Sequence, residues 1–535
     1  MDGTPSQNPS PQWTEAMDAA ELGDAPRVIK LGSRQIALFK SDGRVYACNN
    51  RCPHEGYPLS EGTLSDGCIL TCNWHNWKFD LGTGTTLVGG DRLRRYPVKL
   101  EDGRIYVDIA DPGQGEIVAA AIEDLLDSFD DHDYSRMSRE IARIMKAGGD
   151  PLEAVHATLN ASCDKFEYGM SHTIAVAADW LALYRSFEDD PAKQLTCITE
   201  IVAYLAWDTR RQKPFPFADK SQPFDADGFV AAIEAEDEAT AVSYVRGALA
   251  DGLGFDDLYE SLARAALAHY QDFGHSLIYV LKAREFVAGA GDETLEPVLL
   301  LLVRSLVYAT REDLIPEFKA YAPALQDWDW DRNEGDGAPD QEILRSGGVA
   351  TVLAEIKAHG ADPLACYNAL LDAAAWQMLH MDISYSLATS GPVQDNIGWL
   401  DFTHALTFAN AVRRICSDFP DLWPAGLLQI GCFLGRNSKY VAATEDTAHW
   451  LVEDPLAFVR GARDGVVDHG QFEYIVAAHM LKLSHAIAEE IEEQSEAVWT
   501  GTVAAALNRF LNSPLKRKHP LRTARQALDM VSREG

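Results

Sequence analysis

The chain has 535 residues and a formal net charge of −34, from 47 basic and 81 acidic residues. A chain of this length exceeds one hydrophobic core, so two to four domains are expected. The acidic charge disfavours nucleic acid and anionic membranes as partners, because both would repel the protein. With 47% hydrophobic and 24% charged residues, the composition is that of a folded globular protein.

Two further features bear on the cellular compartment. The longest apolar run, Val298 to Val303, is far too short to cross a bilayer and ends at Arg304. Five or more of the nine cysteines are scattered without regular spacing, which is typical of buried free thiols under reducing conditions. We therefore expect a cytoplasmic protein without membrane contact.

Residues 12–110 have the pattern of an all-β domain. Short apolar segments alternate with turn signals such as Asp42-Gly43 and Asp102-Gly103, which predicts antiparallel strands. Residues 111–117, which begin Asp-Pro-Gly-Gln-Gly, are the predicted linker. The predicted strands are Val28-Ile29, Ile36 to Phe39, Val45 to Cys48, Cys68 to Thr71 and Ile105 to Ile109.

Within this domain, Cys52, His54, Cys72 and His75 form two ligand pairs, C-P-H and C-N-W-H, separated by residues 55–71. Two thiolates and two imidazoles on two short loops suit a [2Fe-2S] cluster in which one iron binds the cysteines and the other the histidines. A structural Cys2His2 zinc site is the alternative, because zinc accepts the same ligands.

The residues around the ligands resemble the Rieske ferredoxins and the Rieske domains of oxygenases. This resemblance implies a Rieske [2Fe-2S] cluster. No G-x-G-x-x-G motif follows a strand, so electrons are expected from a separate ferredoxin reductase or ferredoxin that draws on external NAD(P)H. The matching segments include Cys52-Pro53-His54-Glu55-Gly56, Gly62, Cys72-Asn73-Trp74-His75, Phe79-Asp80 and Tyr96-Pro97-Val98.

Departures from the high-potential Rieske proteins predict a low reduction potential. Those proteins carry an extra disulfide, and Tyr57 and Trp74 stand at the corresponding positions. They also carry hydroxyl donors to sulfur, where this chain has Trp77 and Phe79. Fewer donors leave the reduced cluster less stabilised. Asn76 also replaces a more usual glycine, which puts the backbone geometry of the second loop in question.

From residue 118 to 535 the pattern changes to an alanine-, leucine- and glutamate-rich one with apolar residues three and four apart, which predicts an all-α domain. His172, His275, His380 and His485 recur at intervals of 103, 105 and 105 residues, each expected at the end of a helical stretch. The spacing predicts about four stacked repeats of roughly 104 residues.

The recurring histidines have two interpretations. They could converge on a second metal, as ligands do in helical metal proteins, or each could be a hydrogen-bonded packing residue without chemistry. The pairs His269/His275 and His479/His485 are six residues apart, which places their side chains about 120° apart on a helix. Neither pair is therefore expected to bind one ion.

Three short segments of this region are similar to questin oxidase-like proteins. The resemblance implies a mononuclear iron with His275 and His404 as ligands and Lys482 as a carboxylated lysine ligand; alternatively, Lys482 is a snorkelling surface lysine. It also implies oxygenation of an organic, polyketide-like aromatic substrate by O2. The segments are His275-Ser276-Leu277-Ile278-Tyr279 with Glu285-Phe286, Asp401 to Thr407, and Ala478 to His485.

Two functions remain open from the sequence. In the first, the chain is an oxidoreductase, a monooxygenase or dioxygenase whose Rieske cluster passes electrons to a metal in the helical domain. In the second, it is a Rieske electron carrier or redox sensor on a helical scaffold that docks proteins. The N-H-x4-H iron motif of Rieske oxygenases is absent from the sequence, so any electron acceptor in this chain differs from theirs.

Overall fold

A computed structural model describes residues 10–65, 67–331, 337–513 and 519–534. The chain divides into two compact units, Met1–Thr158 and Leu159–Gly535. The first contains an all-β domain and the second is helical, so the predicted change from β to α structure is confirmed. No helix in the described ranges combines the length and the apolar character needed to span a membrane.

The β domain consists of three small antiparallel sheets, of order β1-β11-β10, β2-β3-β4-β9 and β5-β6-β7-β8. All five predicted strands are present, as β2, β3, β4, β6 and β11. The strands are β1 (Trp13–Asp18), β2 (Arg27–Leu31), β3 (Arg34–Ser41), β4 (Arg44–Asn49), β5 (Thr63–Ser65), β6 (Ile69–Thr71), β7 (Lys78–Asp80), β8 (Thr86–Val88), β9 (Arg95–Tyr96), β10 (Val98–Glu101) and β11 (Arg104–Asp108).

The α-helices in the described residues number 21. They are α1 (Gln114–Asp131), α2 (Tyr134–Ala147), α3 (Leu152–Ser162), α4 (His172–Ser186), α5 (Pro191–Thr209), α6 (Ala226–Glu234), α7 (Glu238–Ala250), α8 (Phe255–Leu267), α9 (His275–Ala290), α10 (Leu295–Val307), α11 (Tyr321–Gln326), α12 (Gln341–Ser346), α13 (Val349–Ala358), α14 (Pro363–Leu379), α15 (Ile383–Leu387), α16 (Trp399–Asp418), α17 (Trp423–Asn437), α18 (Pro455–Gly465), α19 (Tyr474–Glu493), α20 (Thr500–Leu511) and α21 (Pro520–Ser532).

Helices α1 and α2 belong to the same compact unit as the β domain. Helix α1 begins at Gln114, inside the predicted 111–117 linker, and the unit continues to Thr158. The reason is a buried ion-pair network around Asp91, whose carboxylate is fully buried. It accepts two hydrogen bonds from Arg139, at 2.6 and 2.9 Å, and one from Arg143 at 2.7 Å.

The periodic histidines occupy different places in their helices. His172 and His275 are the first residues of α4 and α9, whereas His380 follows the end of α14 and His485 lies inside α19. The expectation that each ends a helical stretch is therefore wrong for three of them. Ser171 caps the start of α4, and Gly274, which has a left-handed backbone conformation, precedes α9. These residues favour the start of a helix at His172 and at His275, so the regular interval between the histidines does not mark helix ends. The repeat itself stays a prediction.

The Asp91 network predicts the stability of the first unit. Burial alone would raise the pKa of Asp91, but the hydrogen bonds from Arg139 and Arg143 lower it below the usual range. Asp91→Asn removes the buried charge that these arginines need, so we expect a loss of about 3 kcal/mol in the free energy of unfolding. Amide hydrogen exchange in β3 should then accelerate roughly hundredfold.

The matched control is Asp111→Asn, because this exposed carboxylate also pairs with two arginines. An exposed pair contributes less than about 1 kcal/mol, so exchange in β3 should change little. Since the pKa of Asp91 is lowered on folding, its contribution is present near neutral pH and is lost as the pH falls through the folded-state pKa. Equal effects of the two variants would contradict this account.

Candidate functional site

The first ligand loop follows β4 and carries Cys52 and His54. The amide of Cys52 donates to the carbonyl of Tyr57 at 2.9 Å, and the amide of Gly56 donates to the carbonyl of Cys52 at 2.8 Å. Gly56 adopts a φ of 75°, in the left-handed region that glycine tolerates best. These two hydrogen bonds fold the loop tightly around the ligands.

The second ligand loop joins β6 to β7 and repeats the same geometry. The amide of Cys72 donates to the carbonyl of Trp77 at 2.8 Å, and the amide of Asn76 donates to the carbonyl of Cys72 at 2.9 Å. Asn76 has a φ of 61° and so takes the place of the glycine in the first loop. Asparagine is one of the few residues that adopt this conformation readily. The substitution therefore preserves the loop geometry.

The two loops bring the four predicted ligands together as a sulfur pair and a nitrogen pair. Cys52 and Cys72 are buried, and their thiols interact with each other. Nδ1 of His54 lies 3.1 Å from Nδ1 of His75. Burial raises the pKa of Cys52 to about 11, so its thiolate forms readily only when a cation replaces the proton. This donor set fits a cluster with one sulfur-ligated and one nitrogen-ligated iron.

Both imidazoles have aromatic and acidic neighbours. His54 stacks on Trp77, with ring centroids 4.6 Å apart, and His75 contacts the ring of Trp74 edge-on. The Glu55 carboxylate lies 4.0 Å from Nε2 of His54 and 3.8 Å from Nε2 of His75. The imidazoles therefore turn Nδ1 inward and Nε2 outward.

Comparison with known proteins agrees with this geometry. The Rieske [2Fe-2S] domain family matches residues 12–95. The ferredoxin component of the naphthalene 1,2-dioxygenase system from Pseudomonas putida is 32% identical over 103 residues, which cover 18% of this chain and 97% of that protein. The chain belongs to the Rieske [2Fe-2S] domain family through its N-terminal region.

Two further relatives match the Rieske domain. The 3-phenylpropionate/cinnamic acid dioxygenase ferredoxin subunit of Photorhabdus laumondii is 40% identical over 78 residues, covering 14% of this chain and 74% of that subunit. The 4beta-methylsterol monooxygenase of Methylococcus capsulatus is 38% identical over 96 residues, covering 16% of this chain. The chain spans only about a quarter (26%) of that monooxygenase. The matches support electron transfer by the Rieske domain and favour the cluster over the zinc alternative.

A second cluster of possible ligands lies in the helical unit, on four helices that pack in a closed ring. Helix α4 packs against α9 and α19, and α16 packs against the same two helices. Each helix provides one histidine, namely His172, His275, His404 and His479 in chain order. Helices α16 and α19 are buried over most of their circumference, as expected for helices that are apolar on nearly all sides.

The imidazoles approach one another in two pairs through their Nε2 atoms, and ring nitrogens of His172, His404 and His479 lie within 4.8 Å of one another. Nε2 of His275 lies 3.2 Å from Nε2 of His172, and Nε2 of His479 lies 3.1 Å from Nε2 of His404. The ring centroids of His275 and His404 are 4.4 Å apart, which links the two pairs. His404 and His479 are buried, whereas His172 and His275 are only partly buried. The cluster therefore has one more accessible side.

Hydrogen bonds at the opposite nitrogen determine the tautomers. Nδ1 of His275 donates to the carbonyl of Asp272 at 2.5 Å, and Nδ1 of His479 donates to that of Ile475 at 2.6 Å. His404 makes the equivalent bond to the carbonyl of Leu400. These three imidazoles then present an unprotonated Nε2 to the cluster, which is the form that binds a metal.

Burial is the main reason why the neutral form is favoured in His172, His275 and His404, since it lowers their pKa values. Burial is the largest cause, and it lowers the pKa of His275 to about 4 and the pKa values of His172 and His404 well below the usual value. The nearby Lys482 lowers all three further. Burial also lowers the pKa of Lys482 itself, to about 8.

The structure gathers only some of the predicted second-site residues. His172, His275 and His404 meet, with Lys482 beside them, whereas His380 and His485 do not join the cluster in the described structure. The ring of His380 stacks on the ring of Trp376, and its Nδ1 donates a hydrogen bond to the backbone carbonyl of Trp376. Both contacts are typical of a packing histidine. His485 instead lies 3.6 Å from Glu489. Equal spacing in the sequence does not bring the four periodic histidines together, because they occupy different positions along their helices.

The ligands predicted from sequence do not include His479, although the segment Ala478 to His485 contains it. The missed signal is the spacing of His479 and Lys482, three residues apart and therefore on one face of α19. Only the positions of the partner helices show that this face meets the other three histidines.

The low potential expected from Trp77 and Phe79 can be tested directly. Phe79 is fully buried in the same apolar core as Cys52 and Cys72 and has no hydroxyl group. Phe79→Tyr adds a donor at the position where high-potential Rieske proteins carry one. A hydrogen bond of about 0.5–1.5 kcal/mol to the reduced cluster would raise the potential by about 20–60 mV, measured by protein-film voltammetry.

The control for this prediction is Phe39→Tyr, in the same core but on β3, outside the ligand loops. It should leave the potential unchanged. A wild-type potential already in the range of the quinol-oxidising Rieske proteins would show that the missing hydroxyl groups do not matter.

Proposed function

We propose that this protein is an oxidoreductase whose Rieske cluster delivers single electrons to a metal bound by His172, His275, His404 and His479. One observation carries this proposal: ring nitrogens of His172, His404 and His479 lie within 4.8 Å of one another, and Nε2 of His275 lies 3.2 Å from Nε2 of His172. Two unprotonated Nε2 lone pairs about 3.1 Å apart repel each other unless a proton or a cation lies between them. A metal ion relieves this repulsion in all four residues at once.

The donor set suits a transition metal. Neutral imidazole is a ligand for iron, copper, nickel and zinc, and carboxylates are not required. Iron is the proposed metal because the Rieske domain supplies electrons one at a time, and zinc has no use for them. His172 and His275 form the more accessible side of the cluster, where a further ligand would approach the metal. Bound iron would supply the capacity to activate O2.

The similarity to questin oxidase-like proteins supports the same site. Its three segments are far apart in sequence, yet they bring His275, His404, His479 and Lys482 together in space. We therefore keep oxygenation of an organic, possibly aromatic polyketide-like substrate as the proposed reaction. The ferredoxin components and the monooxygenase among the relatives favour an oxygenase system.

The proposed electron source is a separate ferredoxin or ferredoxin reductase fed by NAD(P)H. In the Rieske domain, the outward Nε2 edges of His54 and His75 offer the shortest route between cluster and solvent. The cytoplasm is the proposed compartment, because the seven cysteines other than Cys52 and Cys72 are free thiols and suit a reducing environment.

Replacement of single histidines tests the metal site. His479→Ala and His404→Ala each remove a buried ligand, so metal beyond the two cluster irons should fall to trace levels in elemental analysis. Rieske electron paramagnetic resonance of the same samples should be unchanged, because the cluster ligands are intact. Substrate-dependent oxygen consumption should also be lost.

The matched control is His380→Ala, which removes a periodic histidine that stacks on Trp376. It should keep the second metal. If wild type itself holds only the two cluster irons, the scaffold function, a Rieske carrier or sensor without its own catalytic site, replaces this proposal.

A further inference from the structure

Lys482 is a buried charged residue near the histidine cluster whose ammonium group makes no hydrogen bond to the described residues. It is only 1% exposed, and its Nζ has no hydrogen-bond partner among the described residues. Its charge lowers the pKa values of His172, His275 and His404, so the ammonium lies beside these rings. A buried ammonium is strongly disfavoured unless an acceptor binds it. It is therefore poised for an anionic partner.

Two helix N-termini meet at the same place. Helix α4 begins at His172 and runs for 15 residues, and α9 begins at His275 and runs for 16. The positive end of each helix dipole thus lies at the cluster, where backbone amides favour an anion. No side chain caps α9, and the hydroxyl of Ser276, its second residue, is buried without a partner.

The nearby acids leave Lys482 without a hydrogen bond among the described residues, although the carboxylate of Asp179 attracts its ammonium electrostatically. Asp179 accepts a hydrogen bond from Lys282 at 2.8 Å, and Asp208 accepts one from Ser171 at 2.7 Å.

We propose that Lys482 binds the substrate of this site and that the substrate is an organic oxyanion, such as a phenolate or a carboxylate. The ammonium of Lys482 and the first-turn amides of α9 hold its negative oxygen beside the metal. This inference rests on the proposed function and adds the chemical class of the substrate. It differs from the role implied by the questin oxidase-like resemblance, in which a carboxylated Lys482 is itself a metal ligand.

The test compares Lys482→Met, Lys482→Arg and the surface variant Lys193→Met in the full-length, metal-loaded protein. The probe is 4-nitrocatechol, a coloured phenolate at neutral pH whose visible spectrum changes on binding. Methionine matches the volume of lysine and removes an unpaired buried charge, so the variant is expected to fold. Metal content is measured on every sample.

We expect Lys482→Met to bind the probe about tenfold to a hundredfold more weakly, the effect of losing one charge-assisted hydrogen bond. Lys482→Arg should bind about tenfold better than Lys482→Met because it keeps the charge, and Lys193→Met should match wild type. All variants should retain the second metal.

Three results would overturn the inference. Equal probe binding by Lys482→Met and wild type, with metal present in both, refutes the anion site and leaves the proposed function intact. Loss of metal from Lys482→Met, with a carbamate signal in wild type supplied with 13C-bicarbonate, identifies Lys482 as a ligand instead. A wild-type protein without a second metal removes this inference and the proposed function together.

Discussion

The helical unit is organised around one electrostatic constraint, the close approach of four imidazole rings, of which three present an unprotonated nitrogen to the cluster. Each Nε2 lies close to another at 3.1 or 3.2 Å, inside a protein interior where such repulsion is weakly screened. Backbone carbonyls hold the Nδ1 protons of three rings on the far side, so the rings cannot relax by exchanging tautomers. The closed ring of α4, α9, α16 and α19 maintains this arrangement, and the proposed cation would stabilise it.

The chain therefore combines two sites of different chemistry. In the Rieske domain, two loops with the same hydrogen-bond pattern bring two thiols and two imidazoles together, and mixed ligation of this kind raises the potential above that of an all-cysteine cluster. In the helical unit the ligands are all nitrogen, which suits a single transition metal with room for a further ligand. The proposed function, in which a one-electron donor serves a metal that accepts electrons, would account for both sites in one protein.

The Rieske site could be predicted from sequence because its ligands lie on two short loops whose geometry is local. Cys52 and His54 are separated by one residue, and the turn signals around them determine their positions. The helical site depends on contacts between segments more than 70 residues apart, which sequence periodicity does not encode. The 105-residue spacing therefore pointed to His380 and His485, whereas packing selected His404 and His479. Asn76 replaces a more usual glycine, and the sequence alone did not show whether the second loop keeps its geometry. The structure answers this, because Asn76 adopts the left-handed backbone conformation that the glycine would have.

The most direct test of the account is 57Fe Mössbauer spectroscopy of the intact protein, purified without oxygen from cells grown on 57Fe. Two irons belong to the cluster, so a third, nitrogen-ligated iron should contribute about one third of the total absorption as a separate signal. That signal should disappear in His479→Ala while the cluster signal remains. If the cluster accounts for all of the iron in the wild-type protein, the four histidines do not hold an iron and the proposed electron acceptor does not exist.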